Sequence, residues 1–141
     1  MISLLGIGEA GCNVVSMFQD HKEYNCFFFS AEQQNSKYSR KLPKVAKPED
    51  CEEQALDLSS YKTISAVQER VQVVLCGSSF SANYTLTILQ QIRDKKIDIF
   101  YIKPDTDLLI GDIRLQEKAV FGILQEYARS GLFNSFTIFS N

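Results

Sequence analysis

The chain has 141 residues, of which 45% are hydrophobic and 23% are charged, and its formal net charge is −2. This balance is typical of a soluble globular protein with a real core, so we predict a single domain over 1–141 and exclude global disorder. The small negative charge argues against broad binding to nucleic acid or to an anionic membrane.

Targeting signals and metal-binding patterns are both absent from the sequence. No apolar run approaches ~20 residues and the N-terminus lacks a basic region, so we expect neither a transmembrane helix nor a signal peptide. The four cysteines show no C-x-x-C spacing and His21 is the one histidine, so no metal-ligating residue is assigned. Cys26 and Cys76 lie in apolar runs, as free buried thiols do, which favours a cytoplasmic location.

The first predicted element is an apolar strand over 2–7 that enters a glycine-rich turn, followed by a short helix over 11–20. Gly6 and Gly8 allow a tight turn, and Gly11 allows the helix to lie close to the strand. The backbone N–H groups that open such a helix favour an anion such as a phosphate. Candidate binding residues here are Gly6, Gly8, Glu9, Ala10, Gly11 and Asn13.

Apolar runs and helical patterns then alternate along the chain. A basic stretch over 36–48 is predicted to be a surface loop. Because strands separated by helices pair in parallel with right-handed crossovers, we predict an α/β fold, a three-layer Rossmann-like domain whose mostly parallel sheet has helices on both faces. The further predicted strands are 24–29, 71–76, 97–102 and 136–139, and the further helices are 48–58, 63–69, 82–96 and 112–129.

Five motifs in order resemble the N-terminal nucleotide-binding domain of the FtsZ/tubulin family: GIGEAGCN at 6–13, FFFSAEQQ at 27–34, YIKP at 101–104, GDIR at 111–114 and FTIFSN at 136–141. The resemblance implies a guanine nucleotide, GTP or GDP with Mg²⁺, and a role in filament or complex assembly. It implies that Glu32 takes the place of an acidic site residue, that Arg114 lies near the nucleotide and that Asn141 reads the guanine edge.

The family resemblance also limits the expected activity. In the relatives, acidic residues of a C-terminal domain activate water, so the chain is at most a GTPase that needs residues from outside it, and no catalytic residue is assigned. Where the family has a run of glycines and threonines, this chain has GSSFSANYT at 77–85. We expect Gly77, Ser78, Ser79 and Ser81 to close over the phosphates, and Phe80 and Tyr84 to be strained there or to occupy that space.

Two alternatives remain open. One is a structural or interaction module that keeps the fold without the nucleotide, and the other is an NAD-type Rossmann domain in which Glu32 bonds the ribose. Simpler roles also compete at single residues. Arg114 could form an ion pair with Glu117 or with nearby Asp112, and Asp105, Asp107 and Asp112 could have turn or cap roles rather than bind Mg²⁺. The expected partners are further copies of the chain or a larger protein assembly.

Overall fold

A computed structural model describes residues 2–31, 39–41 and 69–140. Within these ranges six strands form one sheet in the order β3-β2-β1-β4-β5-β6, and every pairing of neighbours is parallel. The predicted α/β class with a parallel sheet is confirmed. The strands are β1 Ile2–Ile7, β2 Tyr24–Ser30, β3 Ser39–Lys41, β4 Arg70–Cys76, β5 Lys96–Lys103 and β6 Ser135–Ser140.

Three α-helices connect the described strands: α1 Gly8–Ser16, α2 Thr85–Gln91 and α3 Asp112–Arg129. Short 3-10 helices precede α2 at Phe80–Tyr84 and follow β5 at Thr106–Leu108. The predicted bounds of α3 are confirmed. It begins after Gly111 and ends before Gly131, both of which have positive φ, a conformation that glycine adopts without strain.

The described residues form two apolar cores on opposite faces of the sheet, because successive side chains of a strand alternate between its faces. On one face Leu4, Phe28 and Val74 pack with Cys12 and Val15 of α1. On the other face the buried side chains of the strands pack with Ile88 of α2 and Leu124 of α3; the strand residues include Leu5, Ile7, Phe27, Phe29, Val73 and Ile99. The three predicted layers are therefore present.

The structure corrects three predicted elements. The helix predicted at 11–20 begins earlier, at Gly8, inside the glycine-rich turn. The helix predicted at 82–96 is present but shorter: α2 covers only Thr85–Gln91, and Lys96 already donates its backbone N–H to the Glu69 carbonyl at 2.8 Å as β5 begins. Inside the predicted basic loop lies β3, which pairs in parallel with β2.

The helices predicted at 48–58 and 63–69 lie outside the described residues, apart from Glu69. Among the helices that the structure describes, none combines the length and the apolar character needed to cross a membrane.

Candidate functional site

The strand order reverses beside β1. The chain passes from β1 to β2 on one side, whereas β4 pairs with β1 on the other side. In open parallel sheets this switch point opens a crevice at the carboxyl ends of the strands, where ligands bind. Here those ends are Ile7 of β1 and Cys76 of β4, and each leads into a segment that the sequence marks as a candidate phosphate loop.

The first of these segments is the glycine turn, residues 6–11, and its three glycines are fixed by close contacts. A Cβ on Gly6 would lie 2.8 Å from the Cys12 backbone, and a Cβ on Gly11 would lie 2.2 Å from the Val74 carbonyl oxygen. Gly8 has φ +81. The tight turn and the close approach of helix to strand are thus confirmed.

The N-terminus of α1 has free donor capacity. Its N-cap residue is Ile7, whose side chain makes no capping hydrogen bond. The leading N–H groups of a helix have no partner within the helix and carry a partial positive charge. Glu9 is exposed and Ala10 is half-buried at this end, whereas Asn13, also exposed, lies further along α1, so the turn combines an anion-favouring backbone with one acidic side chain.

Cys12, beneath this turn, is a buried thiol that bonds to the Gly6 carbonyl at 3.4 Å. Burial raises its pKa to about 11, although the Phe29 carbonyl is also within reach. A thiol with so high a pKa is protonated at neutral pH, so Cys12 is part of the packing and not a nucleophile.

The second segment, residues 77–81, which we call the serine loop, lies directly against the glycine turn. A Cβ on Gly8 would lie 2.4 Å from Ser79 Oγ and 3.6 Å from Ser81 Cβ. Ser79 Oγ donates to the Cys76 carbonyl at 3.1 Å, and Ser81 Oγ accepts from the Ala31 N–H at 3.0 Å. The loop thus joins the ends of β1, β2 and β4.

The two aromatic residues of this region pack with the core on the α2 face, and neither has positive φ, so the expectation that they are strained is wrong. Tyr84 is fully buried in the core on the α2 face, and Phe80 packs against the same core. Their rings meet edge to face with centroids 6.3 Å apart. The side chains nearest to Gly8 belong to Ser79 and Ser81.

Gln116 of α3 ties the serine loop to the helix. Its Nε2 donates to the carbonyls of Gly77 at 3.0 Å and Ser79 at 2.6 Å. Its Oε1 accepts from Asn83 Nδ2 at 3.1 Å. Sequence reasoning missed Gln116 and Asn83, because a glutamine on a helix is ordinarily a solvated residue.

The buried carboxylate of Glu117 bonds the tyrosine that lies against the serine loop. Glu117, 1% exposed, accepts from the Tyr101 hydroxyl at 2.9 Å and from the Lys103 ammonium. Burial and the bond to Glu117 raise the pKa of Tyr101, so this phenol stays protonated. A Cβ on Gly77 would lie 2.0 Å from the Tyr101 hydroxyl oxygen.

Three sets of predicted residues remain: Arg114, the aspartates that follow β5, and the residues outside the described ranges. Arg114 is exposed in the first turn of α3, and its predicted pair with Glu117 is wrong, since Glu117 turns inward to Tyr101 and Lys103. Asp105 Oδ1 accepts from the Asp107 N–H at 3.0 Å, which confirms its turn role. Within the described residues no cluster of three or more His, Cys, Asp or Glu side chains is arranged to hold a metal. Glu32 and Asn141 lie outside the described residues.

Comparison with known proteins gives a likeness of fold. No protein-family model matches the chain, and no curated protein matches it. Among solved structures the chain is similar to a short-chain dehydrogenase/reductase from Burkholderia vietnamiensis, with a TM-score of 0.58 at 10% identity. The match covers 99% of this chain and 83% of that chain. At this identity the likeness shows a Rossmann-like α/β fold.

Proposed function

We propose that this chain binds the phosphates of a nucleotide at the switch point between β1 and β4, and that its ligand is a dinucleotide of the NAD type. The observation that carries the proposal is the position of the uncapped α1 N-terminus at that switch point. The strand order 3-2-1-4-5-6 and the G-x-G-x-x-G turn are those of dinucleotide-binding sheets. The similar solved structure is named as a dehydrogenase/reductase, which supports the same ligand class.

The glycine turn supplies the physical basis for phosphate binding. Backbone N–H groups of a helix N-terminus stabilise an anion by about 0.3–1 kcal/mol at exposed sites, and a pyrophosphate adds hydrogen bonds to that field. Glu9 opposes this attraction, because its carboxylate lies in the same first turn. The charge at residue 9 therefore provides a sensitive probe of the site.

A guanine nucleotide is the second candidate, in a divergent FtsZ/tubulin-like domain that acts in assembly. The observation that favours it is the connection after β5. The GDIR motif opens the 18-residue α3, and Arg114 is exposed there. Exposed apolar side chains around this motif fit a role in assembly, among them Leu108 at 80% and Ile110 at 82% exposure.

Isothermal titration with NADH, NADPH, GDP and GTP, the last two with Mg²⁺, tests both candidates. We expect NADH to bind. Binding heat from GDP or GTP but not from NADH or NADPH favours the second candidate. If none of the four ligands gives binding heat, the chain is a structural module that keeps the fold without the nucleotide.

The Glu9→Gln variant tests where the ligand binds. Removal of this negative charge should tighten nucleotide binding by about 3- to 10-fold, since a nearby like charge is worth on the order of 1 kcal/mol at a partly exposed site. Glu23→Gln is the matched control, because Glu23 is exposed just before β2, at the opposite end of the sheet. Equal affinities for the wild type and Glu9→Gln would place the ligand elsewhere.

A further inference from the structure

We infer that Gln116 is a positioning residue for the nucleotide phosphates, acting through the serine loop. The inference rests on the function proposed above and assigns a role to a residue on another element. It begins from the bonds of one amide group. The Gln116 side-chain NH₂ group donates to two carbonyls of the loop, those of Gly77 and Ser79. Its amide oxygen accepts from the side chain of Asn83.

This arrangement fixes which way the Gln116 amide faces. With the oxygen and nitrogen exchanged, the oxygen would face two carbonyl oxygens, and the NH₂ group would face the NH₂ of Asn83. Asn83 is itself anchored, because its Nδ2 also donates to the Phe80 carbonyl at 2.9 Å. Gln116 therefore presents two fixed donors to the loop.

The bonds to Gln116 also orient the opposite side of the loop. In a planar trans peptide the N–H points away from the carbonyl oxygen, and the described residues contain no cis peptide. With the Gly77 and Ser79 carbonyls turned toward α3, the N–H groups of Ser78 and Phe80 point away from α3. Among the described residues no backbone carbonyl accepts from the Ser78 N–H.

The loop held in this way is the one that lies on the glycine turn, through the contact of Ser79 with Gly8. Tyr101 limits its movement from below, since its hydroxyl lies against Gly77 and is bonded to buried Glu117. A phosphate bound at the α1 N-terminus would thus meet donors from a second segment whose direction Gln116 sets. Without Gln116 we expect these donors to lose their orientation while the base-binding part of the site is unchanged.

The Gln116→Met variant tests this role. Methionine keeps the length and helix propensity of glutamine and removes both donors without adding charge. Gln125→Met is the matched control, because Gln125 is also half-buried on α3. Asn83→Ala, which frees the Gln116 amide without removing it, is a second variant with a smaller expected effect in the same direction.

Two measurements are made on each variant. Amide exchange of Ser79 and Ala82, whose N–H groups bond to Cys76 and Ser79 carbonyls, reports the loop in the free protein. Titration with the pairs NADH and adenosine, and GDP and guanosine, reports the contribution of the phosphates. We expect exchange to rise and affinity for the phosphorylated ligand to fall by about tenfold in Gln116→Met, as for the loss of one to two net hydrogen bonds. Affinity for the nucleoside should be unchanged.

The outcomes separate the inference from the proposed function. Unchanged exchange in Gln116→Met, or an equal loss of affinity for nucleotide and nucleoside, overturns the positioning role while nucleotide binding stands. A wild type that binds neither NADH nor GDP overturns the proposed function. A rise in exchange would then show that Gln116 holds the loop, but for another purpose than binding phosphate.

Discussion

The glycine turn and the serine loop lie side by side at the same edge of the sheet, yet they are held by different forces. The glycine turn is fixed by main-chain contacts: Gly6 lies against the Cys12 backbone, and Gly11 lies against the Val74 carbonyl. The serine loop is fixed by side chains from two other elements, Gln116 of α3 and Tyr101 of β5. The first is a property of the local chain and the second is a property of the assembled domain.

This difference predicts different responses to mutation. A main-chain contact has no rotamer to adjust, so an added atom must move a helix or a strand. A side-chain contact can be relieved by changing the side chain concerned.

The largest effect is expected from Gly11→Ala. The new Cβ would lie 2.2 Å from the Val74 carbonyl oxygen, so α1 must move away from β4. We expect a loss of about 3 kcal/mol in the free energy of unfolding, measured by urea denaturation. The control is Gly122→Ala in α3, where nothing lies within 4 Å of the new atom and alanine should stabilise the helix by about 0.5–1 kcal/mol. Similar stabilities of the two variants would refute the main-chain account of the glycine turn.

A smaller and reversible effect is expected from Gly77→Ala, at about 2 kcal/mol. The atom in the way is the Tyr101 hydroxyl oxygen, 2.0 Å from the new Cβ, whereas the ring carbon Cζ is 3.0 Å away. Tyr101→Phe removes that oxygen, so the alanine should cost less than about 1 kcal/mol in the Tyr101→Phe background. Strictly additive losses in the double-mutant cycle would show that the backbone, and not the phenol, limits the loop.

The amino end of the sheet provides a third comparison, away from both loops. Asp98, 3% exposed, accepts from Asn134 at 2.8 Å and Ser135 at 2.6 Å, and Arg70 lies 3.5 Å from its second oxygen. Burial alone would raise the pKa of Asp98, but the bonds from Ser135 and Asn134 and the charge of Arg70 outweigh it. The pKa is therefore lowered from 3.8.

The smallest effect is expected from Asp98→Asn, about 1 kcal/mol at neutral pH, since the amide oxygen keeps neutral hydrogen bonds. A lowered pKa stabilises the folded state fully above the unfolded value, and this contribution disappears as the pH falls through the folded value. The advantage of the wild type over Asp98→Asn should thus shrink once the pH drops below about 3.8. An advantage that stays constant down to pH 2 in urea denaturation would contradict this assignment.

The same contrast explains what the sequence could predict. The glycine turn, the apolar strands and the ends of α3 have local causes, so spacing and apolar runs predicted them. The partners of the serine loop could not be predicted, because Gln116 and Tyr101 come from other elements and no local pattern links them to Gly77. The position of Tyr84 could not be predicted for the same reason: its burial depends on the core assembled on the α2 face. β3 could not be predicted because its sequence, SRK, has no apolar residue.

The contact of Ser79 with Gly8 also limits which residues can replace these two at the carboxyl edge of the sheet. The serine side chain fills the volume that a side chain at position 8 would need, so the two positions share one space. A larger residue at either position requires a smaller one at the other, and the left-handed backbone at position 8 makes glycine the partner that stays. Position 8 is therefore expected to stay glycine in descendants of a common ancestor, whichever small residue they carry at position 79.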